Sequence, residues 1–198
     1  MGKKIFIGIG IILIIALIGG YFIFSGSSPD NSNENQSSGL FSGSKTSSED
    51  VSKMVLEVSE LPEGYEIAER NLRLESDVSE RGLNWGWKEG YYIRYLKGES
   101  LIDTSRIEIY ISRYPLENVS NFLKRADDEL EGYTIEELPD PSIGEGSKST
   151  RYTDNEMGLR EYRIEFYKKD IYVSINNGGA RTNYEVLKEL AKKIGEKI

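Results

Sequence analysis

The chain of 198 residues carries a formal charge of −8 and contains neither cysteine nor histidine. The missing cysteine excludes disulfides, thiolate metal sites, a cysteine nucleophile and lipoprotein-type attachment, and the missing histidine removes the commonest general base and zinc ligand. Catalysis, if any, would rest on carboxylates, lysine, tyrosine or serine, and the acidity disfavours nucleic acid, whose phosphates call for a basic patch. A single glutamine, Gln36, beside abundant Glu, Lys, Ile and Tyr fits a thermophile or archaeal source.

Residues 1–4 form a short tip bearing Lys3 and Lys4, and residues 5–24 carry no charge. As a helix rising about 1.5 Å per residue, that stretch is roughly 30 Å long, the thickness of a bilayer's hydrocarbon core. With no further basic residue until Lys45, the positive-inside tendency leaves the tip in the cytoplasm and sends the rest outside. A single-pass signal-anchor in the cell membrane is expected, with the lipid bilayer as its partner. A cleaved signal peptide is the rival, but the apolar run is long for one and lacks a small-x-small site before Ser25 and Ser27.

Residues 25–48, rich in Ser, Asn and Gly, read as a disordered linker. They hold the glycosylation sequon at Asn35, and a second sequon lies at Asn118. Residues 49–198 form the outer domain. Ser47 or Ser48 is expected to cap a short helix with Val51, Met54, Val55 and Val58 on one face, which Pro62 and Gly64 stop. A strand near 65–74 follows. The stretch "KEGYYIRYLKGESLIDTSRIEIYISRYP" reads as a hairpin turning at Lys97-Gly98-Glu99-Ser100, with Ile107, Ile109 and Ile111 alternating with Glu108 and Tyr110. In "LENVSNFLKRADDELEG" a helix should bury Val119, Phe122, Leu123, Ala126 and Leu130.

Three more strands are predicted near 147–153, 158–168 and 171–176, then a helix in "TNYEVLKELAKKIGEKI" burying Leu187, Leu190, Ala191, Ile194 and Ile198. The fold class is α+β, an antiparallel sheet of about six strands flanked by helices. Strands then a helix, twice over, leave an internal duplication open.

"SIGEGSKSTRY" looks like a phosphate loop but fails the G-x-x-x-x-G-K-[ST] spacing, and "STRYTDNEMG" after it favours a strand and turn over the required helix. No nucleotide is expected. "SELPEGYEI", "SIGEGSKS" and "LREYRIEFYKKDIYVSINN" with a final amphipathic helix together resemble the anchored extracytoplasmic α/β domains of the PsbP-like and LpqN-type group, over residues 61–198. The resemblance implies a sheet of about six antiparallel strands between helices and a binding or scaffolding role without a shared catalytic motif. The segment "VSERGLNWGWKEG" and the absent lipid-bearing cysteine depart from that pattern.

In "NWGWKEGYY", Trp85, Trp87, Tyr91 and Tyr92 could make a stacking platform for a sugar or a partner's side chains, or cover one end of the sheet. Arg181, in the glycine-rich "NNGGARTN" before the last helix, could hold an anion; otherwise the loop supplies turn geometry and Thr182 or Asn183 caps the helix. Acid pairs such as Asp127-Asp128-Glu129 and Glu136-Glu137 lack a calcium-loop pattern. No metal, cofactor or catalytic residue is assigned. The expectation is a membrane-anchored extracytoplasmic binding or scaffolding domain with an envelope protein as possible partner; the alternative is a carboxylate-dependent hydrolase of cell-envelope polymers.

Overall fold

The computed structural model describes residues 50–98, 103–124 and 130–198. The predicted anchor, linker and Asn35 lie outside them, and no helix among the described residues is long and apolar enough to cross a membrane.

Seven strands make one antiparallel sheet: β1 (Glu66–Leu72), β2 (Glu89–Lys97), β3 (Ser105–Arg113), β4 (Tyr133–Leu138), β5 (Gly146–Asp154), β6 (Arg160–Lys168) and β7 (Ile171–Gly179), in the order β1-β2-β3-β7-β6-β5-β4. The seventh, absent from the sequence reading, is the edge strand β4. None of its residues is buried, and Ile135 and Leu138, three apart, do not repeat at a period of two. Helix α1 (Glu80–Asn84) precedes β2, α2 (Leu116–Val119) and α3 (Asn121–Lys124) follow β3, and α4 (Tyr184–Lys197) follows β7.

One face of the sheet is apolar. Ile93, Ile107, Ile109, Ile111, Ile164, Phe166, Val173 and Ile175 project from the central strands onto Leu187, Leu190, Ala191 and Ile194 of α4. All five predicted inward positions of the last helix are buried, Leu187, Leu190, Ala191 and Ile194 within α4 and Ile198 just past its end. Asn183 caps the helix, its carboxamide oxygen accepting from the amides of Glu185 and Val186.

The N-terminal segment completes this layer, though not as the single helix its spacing suggested. Asp50 caps one 3-10 turn, Val51–Lys53, and a second turn spans Val58–Glu60. Glu57 between them is extended, which breaks the helical period. Leu56 therefore points inward, where its carbonyl accepts a hydrogen bond from Tyr95, and Val58 is left 40% exposed.

The opposite face is charged. One cross-strand row runs Glu69, Arg94, Glu108, Asn176, Arg163, Thr150, Glu137, touching all seven strands. Arg94 pairs with Glu69 at 2.5 Å. In the neighbouring row Arg106 reaches Glu161 at 2.7 Å, and its Nε lies 3.3 Å from Glu108, too poorly aligned for a hydrogen bond. Tyr92 donates to Glu108 at 3.0 Å, Tyr172 donates to Glu165, and Arg163 donates to Asn176 at 3.0 Å beneath the ring of Tyr152. Glu108 and Glu165 are 4% and 1% exposed, so the alternation of isoleucine with Glu108 and Tyr110 does not mark a solvent-facing side.

Helices α2 and α3 sit at one end of this charged face through an aromatic cluster. Phe122 stacks on Tyr172 at 4.2 Å and meets Trp85 edge-on at 4.6 Å. The predicted single helix is broken at Ser120. Leu130, expected inward, is 37% exposed, and Ala126 lies outside the described residues.

The strands obey an approximate two-fold about the β3–β7 pair, as a duplication would require. The helices do not. An axis that exchanges antiparallel neighbours preserves the faces of the sheet, yet α2–α3 pack on the charged face and α4 on the apolar one.

Candidate functional site

A cleft of about 960 Å³ opens where β1 begins, β2 ends, β3 begins and α4 starts. Its floor is polar and buried: Tyr65, Ser105 and Asn177 are 9%, 3% and 4% exposed. Burial pushes the Tyr65 phenol above its ordinary value, opposed by hydrogen bonding to Ser105 and Asn177.

The same floor residues hold the loop before α4. Ser105 donates to the carbonyl of Arg181 at 2.8 Å, and the Asn177 carboxamide accepts from the amide of Asn183 at 2.9 Å while donating to the carbonyl of Arg106 at 3.0 Å. The loop can pass this close because residue 179 is glycine. Its φ is +109°, and a Cβ there would lie 2.2 Å from the carbonyl oxygen of Thr104.

Pro62, Ile67, Ala68 and Val186 wall the cleft, and two cations stand at its rim. Lys97 lies 5.9 Å from the Tyr65 ring centroid and donates to the carbonyl of Glu63 at 2.5 Å. Arg181, 75% exposed, pairs through Nε with Asp103 at 2.8 Å. Apolar walls around a few convergent polar groups are the usual make-up of a small-molecule site.

Of the residues singled out from sequence, only Arg181 lines this cleft. Trp85 closes α1, and Gly86 after it has φ +82°, so the two tryptophans are not on an extended strand; both join the aromatic cluster under α2 and α3. Tyr91 packs against the apolar core, whereas Tyr92 lies on the charged face, 4.7 Å from Tyr110. Successive strand residues must point to opposite faces, so no single platform gathers these four aromatics. The Asn118 carboxamide donates to the carbonyl of Trp85 at 3.1 Å.

Glu136 pairs with Arg151 on the sheet edge, and Asp127, Asp128 and Glu129 lie outside the described residues. Among the described residues no cluster of three acids suited to a metal ion occurs. "SIGEGSKSTRY" runs into β5 rather than a helix. Tyr65, Ser105, Asn177 and Lys97 had no local signal as site residues. They converge only because the ends of β2, β3 and β7 and the start of α4 meet there.

The fold is thus an α+β domain with one seven-stranded antiparallel sheet, an apolar face under a long helix and a charged face under short ones. No family model matches the chain, PsbP-like and LpqN-type included, and no curated protein matches it. Among solved structures it is similar to the extracellular domain of PknH from Mycobacterium tuberculosis, with a TM-score of 0.57 and 10% sequence identity, over 74% of this chain and 93% of that one. At that identity the likeness is one of fold.

Proposed function

We propose that this chain is a single-pass membrane protein displaying an extracytoplasmic binding domain, with the cleft at the strand ends as its ligand site. The observation that carries the binding role is the cleft's make-up, three buried hydrogen-bonding side chains beneath apolar walls. The uncharged residues 5–24 behind Lys3 and Lys4 support the anchor, and the likeness to a domain described as extracellular fits the same arrangement.

The absence of native cysteine permits a direct test. Glu156, exposed in the β5–β6 turn, is replaced by cysteine and treated in intact cells with a membrane-impermeant maleimide. Labelling before lysis is the expected result; labelling only after lysis refutes the topology. For the binding role, Ala68→Trp fills the cleft from an exposed bulge of β1 and should abolish retention of the partner or ligand that co-purifies with the solubilised full chain. Unchanged retention places the site elsewhere.

A further inference from the structure

We infer that the cleft takes an amphipathic monocarboxylate, a small molecule with an apolar body and one negative charge; this rests on the cleft being the binding site. Pro62, Ile67 and Val186 offer surface to the apolar body. The charge is set by the rim. Among the described residues no carboxylate pairs with Lys97, whose ammonium donates to a backbone carbonyl and rests near an aromatic face, leaving N–H groups for a ligand. Arg181 stands at the same rim, its Nε 2.8 Å from Asp103 and its side chain 75% exposed.

The acids at the same rim limit the charge that fits. Asp103 is paired with Arg181, and Glu66 lies on β1 between Tyr65 and Ile67. With Arg181 already paired to Asp103, Lys97 is the rim cation left without a carboxylate partner among the described residues, which matches one negative charge rather than two. At the start of α4, Asn183 already occupies the amides of Glu185 and Val186.

The test uses the full chain in nanodiscs, with empty nanodiscs as background, and saturation-transfer NMR with benzoate, benzyl alcohol and phenyl phosphate as probes. Benzoate is expected to bind above background and phenyl phosphate at least five-fold more weakly. Lys97→Gln combined with Arg181→Gln should weaken benzoate at least five-fold and leave benzyl alcohol within two-fold. Ala68→Trp should remove both signals. No benzoate signal above background, equal binding of phenyl phosphate, or a benzoate affinity indifferent to the double substitution overturns the inference. If benzoate fails while Ala68→Trp still abolishes retention of a co-purifying partner, the ligand class is wrong and the cleft remains the binding site. If both fail, the cleft is not the site.

Discussion

The sheet presents two faces that are equally well buried at their centres and chemically opposite. Toward α4, Ile109, Ile175 and Phe166 are fully buried and need no partners beyond close packing. Toward α2 and α3, Glu108, Glu165 and Asn176 are nearly as buried, and each must be matched by an arginine, a tyrosine or an amide. The first face stabilises the fold by removing apolar surface from water, a term indifferent to register except through shape. The second gains little net energy, since desolvation offsets Coulombic attraction, but its penalty for mismatch is steep. A one-residue slip of β3 would turn Glu108 into the α4 core and Ile109 out among the arginines. One face therefore supplies stability and the other specifies pairing.

The largest effects should come from removing a large side chain from the apolar face. Phe166→Ala is expected to cost about 3–5 kcal/mol through lost transfer energy and a cavity beneath α4. The fluorescence of Trp85 and Trp87, both in the aromatic cluster, reports the urea midpoint. A loss under about 1 kcal/mol would mean that α4 can collapse into the gap and that the apolar face is less tightly packed than its burial implies.

The charged face should respond almost as strongly to a single change and hardly at all to a concerted one. Arg106→Leu strands Glu108 and Glu161 without their shared cation, costing about 3 kcal/mol. Replacing Arg106, Glu108 and Glu161 together by leucine should bring the midpoint back to within about 1 kcal/mol of the parent. The triple variant should also show poorer amide-exchange protection in β2 and β3 if the charges set register. A triple variant as unstable as the single one would break the comparison, because the charges would then contribute net stability.

Alkaline pH singles out the buried tyrosines of the charged face. Tyr110 is pushed up to about 12 by burial and then by Glu108, and Tyr92 is raised by burial and the same carboxylate. Burial also raises Tyr95. A phenol whose folded value lies above its unfolded value of about 10 contributes stability fully below pH 10 and loses it as pH climbs toward the folded value. Stability should therefore fall between about pH 10 and 12, and Tyr110→Phe should flatten that fall. Equal slopes for the two proteins by circular dichroism would remove Tyr110 from the account.

How far all this could be read from the chain follows from the same contrast. Helix α4 was legible because its five apolar positions repeat at helical spacing and each meets the core. The paired strands β2 and β3 were legible through their alternation, but that alternation concealed the charged face. A glutamate between isoleucines reads as solvent-facing, and only a facing Arg106 brought by register and a Tyr92 from β2 reveal that Glu108 is buried. Strand β4 was missed because an exposed edge needs no period. The cleft left almost no trace, since Tyr65, Ser105 and Asn177 are far apart in sequence and individually ordinary. "NNGG", expected as a turn, instead forms the last four residues of β7, with Gly179 alone of the four at positive φ, while Asn183 caps α4 as expected; that Asn177 also forms a cleft floor depends on its pairing with β3.

The smallest effect belongs to a residue on neither face. Arg181 and Asp103 are 75% and 46% exposed, so their ion pair is hydrated and screened, and Arg181→Ala should change stability by no more than about 0.5 kcal/mol. The loop that carries Arg181 is held instead through its backbone, by Ser105 at the carbonyl of Arg181 and by Asn177 at the amide of Asn183. Asn177→Ala removes the second of these and also takes one donor from the carbonyl of Arg106, which should cost about 1–3 kcal/mol. Measured side by side in urea, the two substitutions separate the rim of the cleft from its floor. Were Arg181→Ala the more damaging, the loop would depend on its exposed ion pair, and the division between a supporting floor and a rim free to meet a ligand would fail.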